Sequence, residues 1–97
     1  MSVRIASSNL NQTPLDWRGN LKNIKESITL AKDNKVEILC LPELSITGYG
    51  CQDLFYHDWF IKKSNDVLNK IRLLSKSITV IVGHPLSFKN KKYNSCC

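Results

Sequence analysis

The sequence has few of the features that mark membrane, secreted or low-complexity proteins. Only 4 glycines and 3 prolines occur in 97 residues, which argues against a linker or a low-complexity tail. The longest nearly apolar run, Ile38 to Pro42, is far shorter than the roughly 20 residues that span a bilayer. No long apolar segment follows Met1, so we expect no secretory signal and a cytoplasmic location. The remaining composition, 42% hydrophobic and 23% charged, is that of at most one small globular domain.

The cysteines and histidines lack the spacing of a metal site. The chain has 4 cysteines without a C-x-x-C pair, and neither His57 nor His84 lies at a zinc-motif interval from them. Without a secretory signal, reduced thiols are expected rather than disulfides. Cys40 stands inside an apolar run and is predicted to be a small buried hydrophobic residue.

The net charge of +6 raises the question of an acidic partner such as nucleic acid. Most of the lysines are scattered, and only those from Lys89 to Lys92 cluster. A nucleic-acid-binding stripe should be contiguous and rich in arginine. We therefore interpret the lysines as solvated surface charge, with a small basic nucleic-acid-binding protein as the alternative.

Short apolar or alternating segments predict strands. They are Val3–Ser7, Val36–Leu41, Ile78–Val82, the alternation from Leu86 to Phe88, and Tyr93–Cys97. The second ends in four unbroken apolar residues, which predicts burial on both faces. The third is predicted to close at Gly83-His84-Pro85. The turn at Lys89–Lys92 lacks glycine and is predicted to be longer than the tightest hairpins.

Two stripes at three- and four-residue spacing predict amphipathic helices between these strands. The stripes consist of Leu21, Ile24, Ile28 and Ala31, and of Val67, Leu68, Ile71 and Leu74. Asp16 or Asn20 is a candidate cap for the first helix, with Asn34 as a left-handed stop. Ser64 or Asn65 is a candidate cap for the second.

Strands that alternate with helices predict right-handed crossovers and a mostly parallel α/β sheet. Binding sites in such sheets lie beyond the carboxyl ends of the strands. Three segments are predicted to lie there: Asn9-Leu10-Asn11, Pro42-Glu43, and Gly83-His84-Pro85.

Glu43 is the most informative residue because it follows a buried strand so closely. The run from Ile38 to Leu41 is apolar, and only Pro42 separates it from the carboxylate. Such a carboxylate risks desolvation, which raises its pKa unless a cation or hydrogen bonds compensate. A positioned glutamate with a raised pKa makes a good general base near neutral pH, so Glu43 is a candidate general base. The alternative is a carboxylate that caps the following turn or points into water.

Three further sites admit both a functional and a structural interpretation. Gly48 and Gly50 form either a plain tight turn or a loop whose backbone, or Tyr49 hydroxyl, meets a ligand. His84 is either a general acid or base or a turn residue without a chemical role. Cys51 is either a catalytic nucleophile or an ordinary loop cysteine.

Segments along the chain resemble motifs of the carbon–nitrogen hydrolase (nitrilase) superfamily, in the family's order. They are Val3–Ala6 with the polar residues after it, the helix from Asn20 to Ala31, the signature Leu41–Tyr49, and Val82–Pro85 followed by Tyr93-Asn94. The resemblance implies a four-layer αββα sandwich. This chain would supply its N-terminal portion, in the order strand, helix, strand, helix, strand, hairpin.

The continuation from Gly48 to Phe55, GYGCQDLF, resembles more selectively the glutaminase domains of glutamine-dependent NAD synthetases. Such enzymes hydrolyse glutamine and pass ammonia to a second domain, where ATP-activated deamido-NAD is amidated to NAD. The resemblance implies that residues 1–97 are an incomplete glutaminase domain, with ATP and magnesium belonging to a synthetase domain absent from this chain. It also implies glutamine as substrate and a homo-oligomer. The short apolar runs and the scattered lysines predict no membrane or nucleic-acid partner.

Only one member of the family's catalytic triad has a match in this chain. The family uses a glutamate as general base, a lysine that stabilises the oxyanion, and a cysteine that attacks the amide carbon. The glutamate matches Glu43, and Tyr49 matches a tyrosine that shapes the glutamine pocket. The lysine and cysteine would lie beyond Cys97, so we expect an N-terminal fragment that is inactive by itself. The sequence context of the family's catalytic lysine or cysteine is not found around any of Lys89, Lys91, Lys92, Cys96 and Cys97. The alternative enzyme is another nitrilase-type amidase.

Overall fold

The structure is a computed structural model that describes residues 1–97. Its elements are β1 (Ile5–Ser7), α1 (Trp17–Asp33), β2 (Ile38–Cys40), a 3₁₀ turn (Gln52–Tyr56), α2 (Asp58–Leu74), β3 (Thr79–Ile81), β4 (Gly83–Phe88) and β5 (Lys91–Cys96). The predicted order of strands and helices is confirmed. Neither helix combines the length and the hydrophobicity needed to cross a membrane.

The first three strands form a parallel sheet in the order β1-β2-β3, as predicted. Leu39 lies at its centre, paired with Ala6 on one side and Val80 on the other. Both helices pack on the face that carries these three side chains. Ile24 of α1 and Ile71 of α2 both lie in the shared core and are almost fully buried.

The opposite face of the sheet is uncovered, so the prediction that β2 is buried on both faces is wrong. Ile5 is 67% exposed there, and Cys40, which was predicted to be buried, is also exposed. The reason is topological. With strands in the order 1-2-3, successive crossovers of the same hand place both helices on the same side of the sheet.

The first helix begins as one of the two cap candidates predicts and ends differently. The Asp16 carboxylate accepts a hydrogen bond from the Gly19 N–H at 2.9 Å, so Asp16 is the cap and Asn20 is not. Asn34 has φ −93° and is not left-handed, and its side chain donates to the Leu30 carbonyl at 2.8 Å. Lys35, at φ +57°, makes the left-handed turn.

The second helix begins at Asp58, well before the predicted caps Ser64 and Asn65. Phe60 is fully buried and lies one helical turn before Ser64, which is also fully buried. The apolar stripe therefore starts within the aromatic segment, and Ser64 is a small member of that stripe.

The chain passes from β3 into an antiparallel β4–β5 hairpin through Val82, which exchanges two backbone hydrogen bonds of 2.9 Å with Cys97. Two predictions about this segment are wrong. Pro85 lies within β4 rather than closing β3. The hairpin turn contains only Lys89 and Asn90, at φ +49° and +62°, as in a type I′ turn. Asparagine tolerates this left-handed conformation, so no glycine is needed.

Candidate active site

Glu43 lies at the carboxyl end of the parallel sheet, at the start of the loop 41–50, which we call the Glu43 loop. Its side chain is exposed, whereas that of the next residue, Leu44, is buried. Leu44 has φ +48°, a conformation that costs a non-glycine residue about 1–2 kcal/mol. This left-handed residue turns the chain sharply just after Glu43, so the carboxylate stands at the outer corner of the turn.

Two donors from different parts of the chain hold the Glu43 carboxylate. The Tyr49 hydroxyl donates to Oε2, and the Asn94 side-chain amide on β5 donates to Oε1. These hydrogen bonds, first that of Tyr49 and then that of Asn94, lower the pKa of Glu43 below its ordinary value. The raised pKa expected of a base near neutral pH is therefore not found, because the two hydrogen bonds outweigh desolvation. Glu43 is a carboxylate at neutral pH and can accept a proton.

Tyr49 is 64% exposed, and its hydroxyl bonds to the candidate base within its own loop. The hydrogen bond to Glu43 is the main cause that raises the pKa of the phenol, so the hydroxyl remains a donor at neutral pH. Gly48 sets the direction of Tyr49. It has φ +79°, and a Cβ there would come within 2.9 Å of the Pro14 nitrogen. Gly48 therefore forms the tight turn of the structural interpretation, and that turn presents Tyr49 to Glu43.

Asn20 holds the Glu43 loop in place through side-chain hydrogen bonds, a role that the sequence did not reveal. Its side chain is 1% exposed and uses both ends of its amide. The oxygen accepts from the Thr13 N–H at 2.9 Å, and the nitrogen donates to the carbonyls of Thr13 at 2.8 Å and Ile46 at 3.1 Å. Asn20 thus joins α1, the segment before it and the Glu43 loop.

Gln12 adds a second side-chain tie to the same loop. Its amide nitrogen donates to the Ser45 carbonyl at 2.6 Å and to the Asn20 carbonyl at 3.1 Å. The Leu15 N–H donates to the Thr47 carbonyl at 3.2 Å. The only sequence signal for this network is the cluster of amide residues after β1.

Cys51 and His84 take no part in the site. Cys51 is 3% exposed, and its thiol donates to the Thr47 carbonyl at 3.3 Å. Burial raises the pKa of the Cys51 thiol, which disfavours the thiolate that a nucleophile needs. His84 is buried in β4 rather than in a turn, with Nδ1 3.0 Å from the Pro85 carbonyl. The structural interpretation therefore fits Cys51, whereas the prediction that His84 is a turn residue is wrong, because Gly83 to Phe88 form a strand.

A cleft of about 780 Å³ opens between the Glu43 loop, the 3₁₀ turn and β5. Leu44 and Asn94, the neighbour and the partner of Glu43, belong to its wall. Its other lining residues include Phe55, Tyr56, Pro85, Tyr93, Lys91 and Lys92. The cleft combines aromatic walls with amide and cationic groups, and its size suits a small polar molecule.

Glu43 has neither a lysine nor a cysteine as a partner. No lysine or cysteine forms a hydrogen bond or an ion pair with Glu43. Lys92, on β5, is bound to Asp58 at 3.0 Å. No three His, Cys, Asp or Glu side chains converge as a metal site would require.

Comparison with known families and proteins finds similar sequences along nearly the whole chain. The sequence profile described as "Carbon-nitrogen hydrolase" matches residues 4–97. The glutamine-dependent NAD(+) synthetase of Dictyostelium discoideum is 41% identical over 99 residues, and that of Homo sapiens is 37% identical over 94. These matches cover 96% and 95% of this chain but only 14% and 13% of the relatives, respectively. The chain therefore spans a small part of the length of the curated relatives that it matches.

Solved structures give the same picture. The crystal structure of a glutamine-dependent NAD(+) synthetase from Cytophaga hutchinsonii superimposes with a TM-score of 0.95 at 46% identity, over 98% of this chain and 16% of that one. An amidase from Nesterenkonia superimposes with a TM-score of 0.78 at 22% identity, over 87% of this chain and 32% of that one. The second match shows a shared fold alone. The first matches both in fold and in sequence.

Proposed function

The chain belongs to the carbon–nitrogen hydrolase family, and on that basis we propose that it forms the part of a glutaminase domain that carries the general base of a glutamine-dependent NAD synthetase. The observation that carries the proposal is the Glu43 carboxylate, which two hydrogen bonds favour in its ionised form. Its chain neighbour Leu44 and its partner Asn94 line the cleft, although Glu43 itself does not. The 46% identity to a synthetase, against 22% to an amidase, supports glutamine as the amide hydrolysed.

In this reaction Glu43 takes the proton of the attacking thiol, which forms a carbon–sulfur bond to the amide carbon. As the carbon–nitrogen bond breaks, Glu43 returns that proton to the departing ammonia and a thioester remains. Water then attacks the thioester, Glu43 takes the water proton and gives it to the thiolate, and glutamate leaves. The pKa of Glu43, lowered by the bonds from Tyr49 and Asn94, keeps the base ionised at the start.

Tyr49 is proposed to shape the glutamine site because its side chain is exposed and its hydroxyl donates to Glu43, although Tyr49 does not line the cleft itself. Lys91 places positive charge in the cleft wall, which suits the α-carboxylate of glutamine, whereas Lys92 is already paired with Asp58. ATP and magnesium are assigned to the amidation step in a synthetase domain, and no residue of this chain is proposed to bind them. A homo-oligomer and a cytoplasmic location are part of the same proposal.

Glutamine hydrolysis also requires the family's lysine and cysteine. Because neither residue type bonds to Glu43 here, we propose that the chain by itself hydrolyses no amide. Incubation of the purified chain with glutamine should release no ammonia. Release that is abolished by Glu43→Gln would contradict this part of the proposal.

The proposal is tested by placing this chain in a working enzyme. In the exchange enzyme, residues 4–97 replace the matching segment of the Cytophaga hutchinsonii synthetase. We expect NAD formation from glutamine and from an ammonium salt, with acetamide a poor source of ammonia. NAD formation from ammonium but not from glutamine would overturn the proposal. Equal use of acetamide and glutamine would favour the amidase alternative.

A further inference from the structure

Sequence patterns assign no chemical role to Asn94, yet its side chain reaches the candidate base from the far end of the chain. We propose that Asn94 is a positioning residue, whose carboxamide fixes the orientation of the Glu43 carboxylate for proton transfer. The inference rests on the proposed function of Glu43 as general base. It adds a residue from the hairpin to a site otherwise built from one loop.

The first support is the way in which the two carboxylate oxygens are shared. Tyr49 donates to one oxygen of Glu43 and Asn94 to the other. The last torsion of a glutamate is broad and roughly two-fold, so a single donor leaves its carboxylate free to rotate. Donors on both oxygens fix the plane of the group. A carboxylate has about four lone-pair positions, so positions remain free to receive a proton.

The second support is the register of the hairpin. Asn94 pairs with Pro85, and Val82 exchanges both backbone hydrogen bonds with Cys97. Hydrogen-bonded and non-hydrogen-bonded pairs alternate in such a ladder, so Pro85 and Asn94 form a non-hydrogen-bonded pair. Pro85 has no N–H, but its position forms no hydrogen bond with the partner strand. The register that places Asn94 opposite Pro85 is therefore undisturbed.

The third support is that the same face of the hairpin also touches the backbone of Glu43. Gly83 lies two residues before Pro85 and thus on the face that carries Asn94. A Cβ on Gly83 would come within 2.9 Å of the Glu43 Cα and 2.6 Å of the Leu44 nitrogen. The hairpin thus sets the distance to the Glu43 backbone as well as the orientation of the carboxylate.

The hairpin is itself anchored close to Asn94. Lys92 lies two residues earlier on the same face, and its ammonium group donates to Asp58 at 3.0 Å and to Ser87 at 3.1 Å. This ties β5 to the start of α2 and to β4. The tight turn between β4 and β5 fixes the register of these strands. Asn94 therefore projects from a strand whose position is fixed at both ends.

No charged side chain competes with Asn94 for the carboxylate. The titratable groups on the elements around Glu43 are Tyr49, Asp53, Tyr56, Asp58, His84, Lys91, Lys92, Tyr93 and Cys96, and of these only Tyr49 forms a hydrogen bond with Glu43. Tyr49 bonds to Glu43, and Lys92 is taken by Asp58. The causes that lower the pKa of Glu43 are the hydrogen bonds from Tyr49 and Asn94.

The test uses the exchange enzyme with Asn94→Ala, Asn94→Asp and, as a matched control, Asn69→Ala on the exposed surface of α2. Asn94→Ala should lower kcat for glutamine hydrolysis about tenfold or more with little change in KM. It should also move the acid limb of the pH profile to higher pH. Asn94→Asp should be worse, because an aspartate of nearly the same shape donates nothing and repels Glu43. Asn69→Ala should leave glutamine hydrolysis unchanged. None of the three variants should change NAD formation from ammonium.

Two results would overturn the inference. One is an Asn94→Asp enzyme that retains kcat and the acid limb, since Asn94 would then only fill space. The other comes from NMR titration of the Glu43 carboxyl in the chain itself. This measurement decides even if the unaltered exchange enzyme hydrolyses no glutamine and the proposed function fails. Asn94→Ala should raise the pKa of Glu43, and an unchanged titration curve would contradict the positioning role.

Discussion

The interior of the Glu43 loop and the side chains that flank it are held in opposite ways. From Ser45 to Gly48 the loop is buried, and its carbonyls accept hydrogen bonds from Gln12, Asn20 and Leu15. Glu43 and Tyr49 lie on either side of this stretch, and both side chains are exposed. Each bonds the other, and Asn94 supplies the third group.

This difference separates stability from chemistry within one short loop. Buried amide contacts fix the path of the backbone and contribute to folding because their loss would leave polar groups unpaired. The exposed carboxylate contributes little to folding, but its position is inherited from the fixed backbone. Substitutions in the interior should therefore change the free energy of unfolding, whereas substitutions at the flanks should change proton affinity and activity.

The largest expected stability effect is that of Asn20→Ala. It leaves the Ile46 carbonyl without its side-chain partner in a buried setting, and the Thr13 N–H and carbonyl without theirs in a partly buried one. We expect the free energy of unfolding to fall by about 3 kcal/mol. Urea unfolding of the chain, followed by circular dichroism, measures this change. Asn69→Ala is the matched control, and an equal effect of the two would break the distinction between interior and flank.

A smaller loss is expected for Gly48→Ala. The left-handed backbone at φ +79° costs an alanine about 1–2 kcal/mol, and its methyl group would press on the backbone of Pro14. Gly50 lies in the same loop, where a Cβ would meet only the Pro14 ring at 3.1 Å. Gly50→Ala should therefore cost less than Gly48→Ala in the same urea experiment. The reverse order would mean that Gly48 does not set the turn.

The smallest stability effect, and one that depends on pH, is expected for Tyr49→Phe. Hydrogen bonds from Tyr49 and then Asn94 lower the folded-state pKa of Glu43 below 4.5, so the unfolded chain takes up the proton first as the pH falls. The stabilising contribution is complete above that value and is lost as the pH falls through the lowered folded-state pKa.

Tyr49→Phe should therefore flatten the acid side of the stability curve and change stability at pH 7 only slightly, because the side chains of Tyr49 and Glu43 are both exposed to solvent. Urea unfolding between neutral and acidic pH compares the two proteins. Tyr56→Phe is the control, because Tyr56 is exposed and makes no bond to Glu43. A steeper acid loss in Tyr49→Phe than in the unaltered chain would contradict a lowered pKa of Glu43 in the folded state.

Local patterns predicted the elements well. The stripe containing Ile24 and Ile28 identified α1, and the apolar run before Pro42 identified β2. The position of Glu43 directly after that run marked the candidate base. These features depend on residues close together in the chain, where spacing and chain direction determine which side chains share a face.

Features that depend on distant residues could not be predicted in the same way. The exposure of Cys40 follows from both helices lying on one face of the sheet. The contact of Asn94 with Glu43 joins residues 51 positions apart and depends on hairpin register. Asn20 was considered only as a cap, because its buried contacts exist only once the Glu43 loop has folded over α1.

The central claim is that Glu43 is the general base for glutamine hydrolysis. Ammonia release from glutamine by the exchange enzyme carrying Glu43→Gln tests it most directly, with Glu26→Gln on the exposed surface of α1 as the matched control. We expect Glu43→Gln to lower the rate by about 10²–10⁴-fold and leave NAD formation from ammonium intact, while Glu26→Gln changes neither. Glutamine hydrolysis by the Glu43→Gln enzyme at a rate equal to that of the Glu26→Gln control would contradict the claim.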